Sequence, residues 1–163
     1  MGYTYVETPW VVPREVSEIT YQGDALSCQL GDLVGSAEQG FLALPEIKDA
    51  KLVSCGPCFR NEPVIDAAHQ SWFMKIELYQ SGDHFDEIIF DANSVMREAF
   101  IRLMTPYNAR GLTQVATPEG ADLMLNGIEV GSYGVRTVGN RTWTYGTGLA
   151  LPRFMVAIDN FSR

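Results

Sequence analysis

Apolar and polar positions alternate on either side of a polar segment in the first half of the chain. A short apolar run, Leu52-Val53, precedes the segment, and an alternating run, Phe73–Tyr79, follows it. The segment itself carries the turn-forming residues Asn61, Pro63 and Asp66. Alternation with a period of two, bounded by turn residues, is typical of strands. The pattern therefore predicts two antiparallel strands joined by a long loop.

A second pattern, with apolar residues three and four positions apart, runs from Phe85 to Met104. Its apolar positions are Phe85, Ile88, Ile89, Ala92, Val95, Met96, Ala99, Phe100 and Leu103. Charged residues occupy the opposite face of the same periodicity. This spacing predicts an amphipathic helix, and we expect its apolar stripe to pack in the core rather than to hold a cofactor.

The remaining segments of the N-terminal half give shorter elements. Gly2–Thr8 alternates aromatic and β-branched residues before Pro9, which predicts a strand. Residues 11–24 are rich in turn formers and predict a loop with a short element. The stretch 24–44 contains a helix signal, because Ser36 can cap the N-terminus and Glu38 falls in the first turn.

The C-terminal half predicts a connection followed by paired strands. Residues 105–119 contain proline and glycine and predict the connection, whereas Ala121–Val138 predicts strands with a turn at Asn126-Gly127. A second turn follows at 139–140, and Pro152 can start a helix near the end of the chain. We expect an α+β fold, an antiparallel β-sheet flanked by helices, in a single domain over 1–163.

Composition excludes some classes of function. The chain has 163 residues, a net charge of −8 and a pI near 4.7, which argues against a broad basic face for nucleic acid. No apolar run approaches the length of a membrane span, and the N-terminus lacks a signal-peptide pattern. An odd number of cysteines, three, suggests a reducing compartment. We therefore expect no membrane association and a cytoplasmic location.

Cys55 and Cys58 form a CGPC sequence that matches a redox motif. That chemistry needs the first cysteine at a helix N-terminus, where the thiolate is stabilised. The residues that follow, FRNEP, are a poor helix start and favour a strand end. A zinc site that adds Cys28 and a histidine lacks a second paired-ligand motif. Neither alternative is favoured.

The predicted hairpin places an arginine and an aromatic residue on facing strands. Arg60 leaves the first strand, and Phe73 starts the second. Such a pair can hold a phosphate and stack a base without a glycine-rich loop. Taken singly, Phe73 fits a core residue, and Arg60 with Glu62 fits a surface ion pair. The spacing of several such residues together favours a nucleotide site.

Four motifs, in order along nearly the whole chain, carry a resemblance to a known family. They are GYTYVETP, CFRNE…HQSWFMKIELY, DLMLNGIE and GTGLALPRF. In these motifs the chain resembles a class II aminoacyl-tRNA synthetase catalytic domain, and within that family the aspartate, asparagine and lysine enzymes. The resemblance implies an ATP-dependent, adenylate-forming ligase.

The resemblance also implies roles in binding ATP. Arg60 would contact the α-phosphate, and Phe73 would stack on the adenine. Arg153 would cover the other adenine face and reach the γ-phosphate, so that Arg60 and Arg153 are the expected catalytic residues. Glu62 would contact the base or ribose, and His69 would lie near the outer phosphates.

A second group of residues is implied for magnesium and the amino acid. Asp122 and Glu129 match the acidic pair that holds Mg²⁺, a cation that favours hard carboxylate oxygens. The amino-acid pocket would involve Ser36, Glu38, Glu77 and Arg136. Arg136 matches the arginine that aspartate and asparagine enzymes use for the side-chain end, which slightly favours those two substrates.

The sequence departs from the family pattern in several places. Trp72 replaces the glutamate usual before the stacking phenylalanine, and Ala150 and Pro152 are unusual in the last motif. The chain starts at the strand of the first motif, so the usual dimer is in doubt although a homodimer is possible, and we expect no anticodon-binding domain. The acceptor could be tRNA, a carrier, another protein or a small molecule. The alternative is a catalytically reduced paralogue that acts as a ligand-binding or regulatory module.

Overall fold

The structure is a computed structural model that describes residues 2–21, 23–46, 48–81, 85–104 and 111–160, with the backbone alone for 85–93. Within these ranges the strands are β1 Thr4–Tyr5, β2 Val11–Val12, β3 Ser27–Cys28, β4 Gly31–Leu33, β5 Lys51–Phe59, β6 Trp72–Gln80, β7 Leu112–Ala116, β8 Gly120–Leu125, β9 Ile128–Val138 and β10 Arg141–Leu151. The helices are α1 Arg14–Thr20, α2 Ala37–Ala43, α3 Phe85–Met104 and α4 Arg153–Asp159.

A seven-stranded sheet in the order β1-β5-β6-β10-β9-β8-β7 forms the body of the molecule. The β1–β5 pair is parallel, and every other pair in this sheet is antiparallel. A smaller sheet, β2-β4-β3, lies beside it. The prediction of an α+β fold with an antiparallel sheet flanked by helices is confirmed.

The hairpin of β5 and β6 lies inside the large sheet, as the alternating pattern predicted. Its register runs from Lys51 opposite Gln80 to Phe59 opposite Trp72. Period-two alternation brings Phe73, Lys75 and Glu77 to one face of the sheet. The side chains of the candidate site therefore project from that face.

Helix α3 covers the opposite face of the sheet. Met96, Ala99 and Phe100 are buried there against β9 and β10, which confirms the apolar stripe over the part whose side chains are described. The first half of the stripe, Phe85 to Ala92, lies outside the described side chains. Phe100 occupies the space beside Gly148, where a Cβ would lie 1.8 Å from its ring. Glycine at this position is what allows the helix to approach.

Helix α2 packs on the face that carries the candidate site. Ser36 caps it and accepts a hydrogen bond from the Glu38 backbone N–H at 3.3 Å, which confirms the predicted helix start. Phe41 packs in a buried cluster with Tyr79 and Trp143. Within the described part of the chain, no helix is both long and apolar enough to cross a membrane.

Three predictions of local structure were wrong. The first strand is limited to Thr4–Tyr5, although the next residue still donates its backbone N–H to Val53 O at 3.0 Å. Residues 105–119 were predicted as a connection, of which 105–110 lie outside the described residues. The remainder contains β7, an exposed edge strand without an alternating buried pattern. The segment 11–24 contains β2 and α1 rather than a loop with one short element.

Candidate active site

Two adjoining pockets open on the face of the large sheet that α2 covers. The outer pocket is lined by Arg60, Glu62, Ala68, Gln70, Phe73, Lys75, Glu129, Val130, Gly131, Thr147, Gly148, Ala150, Leu151, Pro152 and Arg153. The inner pocket is lined by Thr20, Tyr21, Gly35, Ser36, Glu38, Gln39, Arg60, Lys75, Asp122, Glu129, Ser132, Arg136, Tyr145 and Thr147. Arg60, Lys75, Glu129 and Thr147 line both, so the pockets meet at these residues.

Arg60 and Phe73 form one wall of the outer pocket. The Arg60 guanidinium carbon lies 5.3 Å from the centre of the Phe73 ring, within cation–π range. Arg60 Nε also donates to Gly35 O at 3.3 Å. Within the described residues Arg60 and Glu62 form no ion pair, so the surface-pair alternative does not describe this arginine. Its guanidinium remains available to an anion in the pocket.

Arg153 is the first residue of α4 and forms another part of the outer pocket. Its Nε donates to Ala68 O at 3.4 Å, which ties the helix to the loop between β5 and β6. Its Nη1 lies 3.9 Å from Glu129 Oε1. Arg153 thus lies between the loop and one of the two predicted metal ligands.

His69 belongs to the same loop but lines neither pocket. Its Nδ1 lies 2.9 Å from Asp66 Oδ1, and the backbone N–H groups of Ala68 and His69 donate to that oxygen. These hydrogen bonds, with that of the His69 ring first, hold the pKa of Asp66 below its usual value. The His69–Asp66 pair orders the loop, whereas Ala68 and Gln70 face the pocket.

The inner pocket is organised around a buried carboxylate, that of Glu38. Its Oε2 accepts a hydrogen bond from Arg136 Nη1 at 2.7 Å, and its Oε1 accepts one from Trp143 Nε1 at 2.6 Å. Burial raises the pKa of Glu38, whereas Arg136 and Trp143 oppose that change. Both oxygens accept hydrogen bonds, one of them from a guanidinium, and this geometry favours the ionised form.

Arg136 is held by two carboxylates and an aromatic ring. Besides Glu38, it contacts Glu119 through two hydrogen bonds, of which Nε to Oε1 measures 3.0 Å. Its guanidinium carbon lies 4.7 Å from the centre of the Tyr145 ring. Burial lowers the pKa of Arg136, but the hydrogen bond to Glu119 and the charges of Glu38 and Glu119 outweigh it and raise the pKa. Three hydrogen bonds thus fix the guanidinium, and two carboxylates balance its charge.

Glu77 lies beneath the inner pocket and does not line it. The Ser36 hydroxyl donates to it at 2.8 Å, the Glu38 backbone N–H at 2.7 Å, and Lys75 Nζ lies 2.6 Å from Oε1. The Glu77 side chain is only 1% exposed. Its carboxylate therefore holds the start of α2 and presents Lys75 to both pockets.

Asp122 on β8 and Glu129 on β9 both line the inner pocket, as their predicted shared role requires. Strand pairing places Asp122 opposite Ser132 and Glu129 opposite Met124, with a register shift between them. Among the described residues, no group of three metal-binding side chains is close enough to hold an ion. Two carboxylates leave coordination positions for phosphate oxygens and water, so this donor set fits Mg²⁺ bound with a nucleotide.

Sequence reasoning missed several residues of the site. Glu119, Trp143 and Tyr145 join the Arg136 network, although nothing in their local pattern indicates it. Lys75 did leave a signal. It shares with Glu77 the alternate positions of an otherwise apolar strand, and charged residues on a buried face need partners.

The two cysteines of the CGPC sequence lie on opposite faces of β5, where Cys55 is exposed and Cys58 is buried. Three residues of extended strand separate their Cα atoms by about 10 Å, beyond the span of a disulfide. Burial raises the pKa of the Cys58 thiol to about 12. This geometry is incompatible with a thiol–disulfide centre.

Comparisons with known proteins give similarity at the level of structure. No protein-family model matches the sequence, and no curated protein matches it. Two structures of pyrrolysyl-tRNA synthetase from Desulfitobacterium hafniense match 98% of this chain and 64% of theirs, at 17% and 15% identity with TM-scores of 0.70 and 0.73. Seryl-tRNA synthetase from Pyrococcus horikoshii complexed with ATP matches 96% of this chain and 46% of its own, at 20% identity and a TM-score of 0.74.

These neighbours are pyrrolysyl and seryl enzymes, so the predicted likeness to the aspartate, asparagine and lysine subgroup stays a prediction. The chain spans 64% and 46% of the lengths of the structures that it matches. At such identities the likeness shows the fold alone. That fold is the one of class II aminoacyl-tRNA synthetase catalytic domains.

Proposed function

We propose that the protein activates an amino acid with ATP and Mg²⁺ to form an aminoacyl-adenylate and pyrophosphate. The observation that carries this proposal is the junction of the two pockets at Arg60, Lys75, Glu129 and Thr147. Adenylate formation joins a carboxylate to the α-phosphorus of a nucleotide. It therefore requires two sites that meet at one point, with cations placed there.

The outer pocket supports nucleotide binding. Adenine would stack on Phe73, with Arg153 on the other side and Glu62 near the base or ribose. Arg60 would contact the α-phosphate and stabilise the charge that develops on it during attack. A neighbour in fold is a synthetase complexed with ATP, which supports this assignment. His69, which is bound to Asp66, would act on the outer phosphates only if the loop rearranged.

Asp122 and Glu129 would hold the magnesium ion. Bound there, Mg²⁺ would neutralise negative charge on the phosphates. The position of Glu129 in both pockets suits this role, because the phosphates would lie at the junction.

The inner pocket would hold the amino acid. Ser36 and Glu38 line it, whereas Glu77 supports both residues from below. The sequence resemblance slightly favours aspartate or asparagine as the substrate. The acceptor would be tRNA, a carrier, another protein or a small molecule, and a homodimer would follow the family pattern.

The test is ATP–pyrophosphate exchange by the purified protein, with magnesium and each of the twenty amino acids in turn. Exchange that depends on one amino acid is the expected result. Exchange with none of them would overturn the proposed activity.

A second candidate is a synthetase-like module that binds a ligand without catalysis. The observation that favours it is the approach of Arg153 to Glu129, since the proposed γ-phosphate residue lies 3.9 Å from a proposed metal ligand. Such a module would be stabilised thermally by ATP or an amino acid and would show no exchange.

A further inference from the structure

We infer that the inner pocket selects an amino acid with a neutral hydrogen-bonding side chain, a hydroxyl or a carboxamide, and rejects aspartate and glutamate. This inference rests on the proposed function of the same pocket. It narrows the substrates favoured by the sequence, because it retains asparagine and excludes aspartate.

The first argument is the state of Arg136. Sequence resemblance assigns it to the side-chain end of the substrate, where a free guanidinium would bind a carboxylate. In the structure its Nη1 is 2.7 Å from Glu38, and its Nε and Nη2 face Glu119. An incoming carboxylate would meet two like charges at a guanidinium whose charge they already balance.

The second argument is the charge of the whole pocket. Lys75 is paired with Glu77 at 2.6 Å. Among the described cations of the pocket, this leaves Arg60 without a carboxylate partner, and Arg60 lies at the junction where the phosphate and the reacting carboxylate would meet. A side-chain carboxylate would therefore be buried without a counterion, which is strongly unfavourable.

The balance of charges in the pocket also argues against a substrate with a cationic side chain. With Glu38 ionised, the cluster of Glu38, Arg136 and Glu119 has two negative charges and one positive charge. The α-ammonium group of the substrate would neutralise the remaining negative charge. Asp122 and Glu129 are assigned to magnesium. No carboxylate of the pocket then remains for lysine or arginine.

The third argument is the lining of the pocket. Hydroxyl groups come from Thr20, Tyr21, Ser132, Tyr145 and Thr147. Tyr145 donates to Glu119 Oε2 at 3.0 Å. Hydroxyls can donate or accept, and a site built from them rejects analogues that leave its groups unpaired. Such a lining suits a hydroxyl or carboxamide and disfavours an aliphatic side chain.

The first experiment compares exchange with the nearly isosteric pairs asparagine and aspartate, and glutamine and glutamate, together with serine, threonine, leucine and lysine. We expect the best substrate to be serine, threonine, asparagine or glutamine, with kcat/KM at least about 100-fold above that of either acidic amino acid. A best substrate that is acidic, basic or aliphatic would overturn the inference and leave the proposed activity intact.

A second measurement separates the inferred selectivity of the pocket from the proposed adenylate-forming activity. Non-hydrolysable sulfamoyl-adenosine analogues of serine, asparagine and aspartate are compared by the rise in melting temperature. If a neutral analogue stabilises the protein, the aspartyl analogue does not, and no amino acid supports exchange, the proposed activity is refuted and the inferred selectivity is retained. Equal stabilisation by all three, or by none, would overturn the inference.

A variant tests the cause of the selectivity. Glu119→Gln removes one of the two carboxylates that neutralise Arg136, so the preference for the best neutral substrate over aspartate should fall about tenfold. Glu98→Gln, on the exposed part of α3 and paired with Arg102, is the matched control and should leave the preference unchanged. An unchanged preference in Glu119→Gln would contradict the charge argument.

Discussion

Arg60 lies over the ring of Phe73 at 5.3 Å from its centre, although the two residues stand on opposite sides of a long loop. The register of β5 and β6, in which Cys58 faces Phe73, brings them together. The arginine is thereby oriented by an aromatic face and by Gly35 O rather than by an acidic residue. Its charge remains available to a phosphate.

Two substitutions of Arg60 should separate the effect of its positive charge from that of its planar guanidinium group. Arg60→Ala should reduce pyrophosphate exchange about 10²- to 10³-fold, because a group that stabilises transition-state charge is lost. Arg60→Lys should recover only part of the rate, since an ammonium group keeps the charge but not the planar, stacked guanidinium. Steady-state exchange assays check both variants, with melting temperature as the control for folding. Unchanged exchange in Arg60→Ala would refute the catalytic role.

The two strand carboxylates should govern the response to magnesium. ATP should raise the melting temperature of the protein only when Mg²⁺ is present, because a ligand that binds only the folded state stabilises it. Asp122→Asn and Glu129→Gln should each diminish that rise. Thermal denaturation across a magnesium titration checks this. Wild-type behaviour of both variants would exclude the pair as metal ligands.

Glu77 should be needed for folding as well as for the site. Glu77→Ala removes the partner of Lys75, whose side chain is 9% exposed, and the acceptor of Ser36 and the Glu38 N–H. Breaking such a buried pair destabilises a protein by about 3–5 kcal/mol, whereas Glu98→Gln on the surface should stay within about 0.5 kcal/mol. Urea unfolding measures both. A decrease in the free energy of unfolding below about 1 kcal/mol would contradict this expectation, because Lys75 and Ser36 would then tolerate the loss of their carboxylate partner.

Two strand glycines should respond differently to an added methyl group. At Gly148 a Cβ would lie 1.8 Å from the buried ring of Phe100, whereas at Gly56 the nearest contact is Trp10 Nε1 at 3.7 Å. Gly148→Ala should destabilise the protein by about 1–3 kcal/mol, as overpacking does. Gly56→Ala is the matched control and should have little effect. Equal unfolding free energies of the two variants would contradict the close approach of α3.

The cysteines should differ in reactivity. Burial raises the pKa of Cys58 to about 12, so this group stays a protonated thiol at pH 8, whereas Cys28 and Cys55 are exposed. Iodoacetamide at pH 8 should therefore modify Cys28 and Cys55 and spare Cys58 until the protein is unfolded. Peptide mass spectrometry checks the modification, and early alkylation of Cys58 would contradict its burial.

The raised pKa of Cys58 also affects stability at alkaline pH. Because the folded-state pKa is raised, the stability contributed by the neutral thiol is full below pH about 8.5 and declines as pH rises toward 12.

The sequence alone determined the elements whose signals are local. Alternation defined the hairpin that carries Arg60 and Phe73, and a period of 3.6 residues defined α3. The Ser36 cap also needs only neighbouring residues, since it acts within two positions. Local periodicity and capping depend on backbone geometry, which is why they could be predicted before the fold was known.

The tertiary structure alone decided the pairings between distant segments. Glu38 meets Arg136 and Trp143 across about a hundred positions of chain, and Glu119 reaches the same guanidinium from the turn before β8. The edge strand β7 was equally hidden, because an exposed strand needs no alternating pattern. Each residue of the Arg136 network has an ordinary local environment in the sequence. Strand register and helix packing create the charge balance of the pocket, because electrostatic interactions depend on distance in space and on burial rather than on position along the chain.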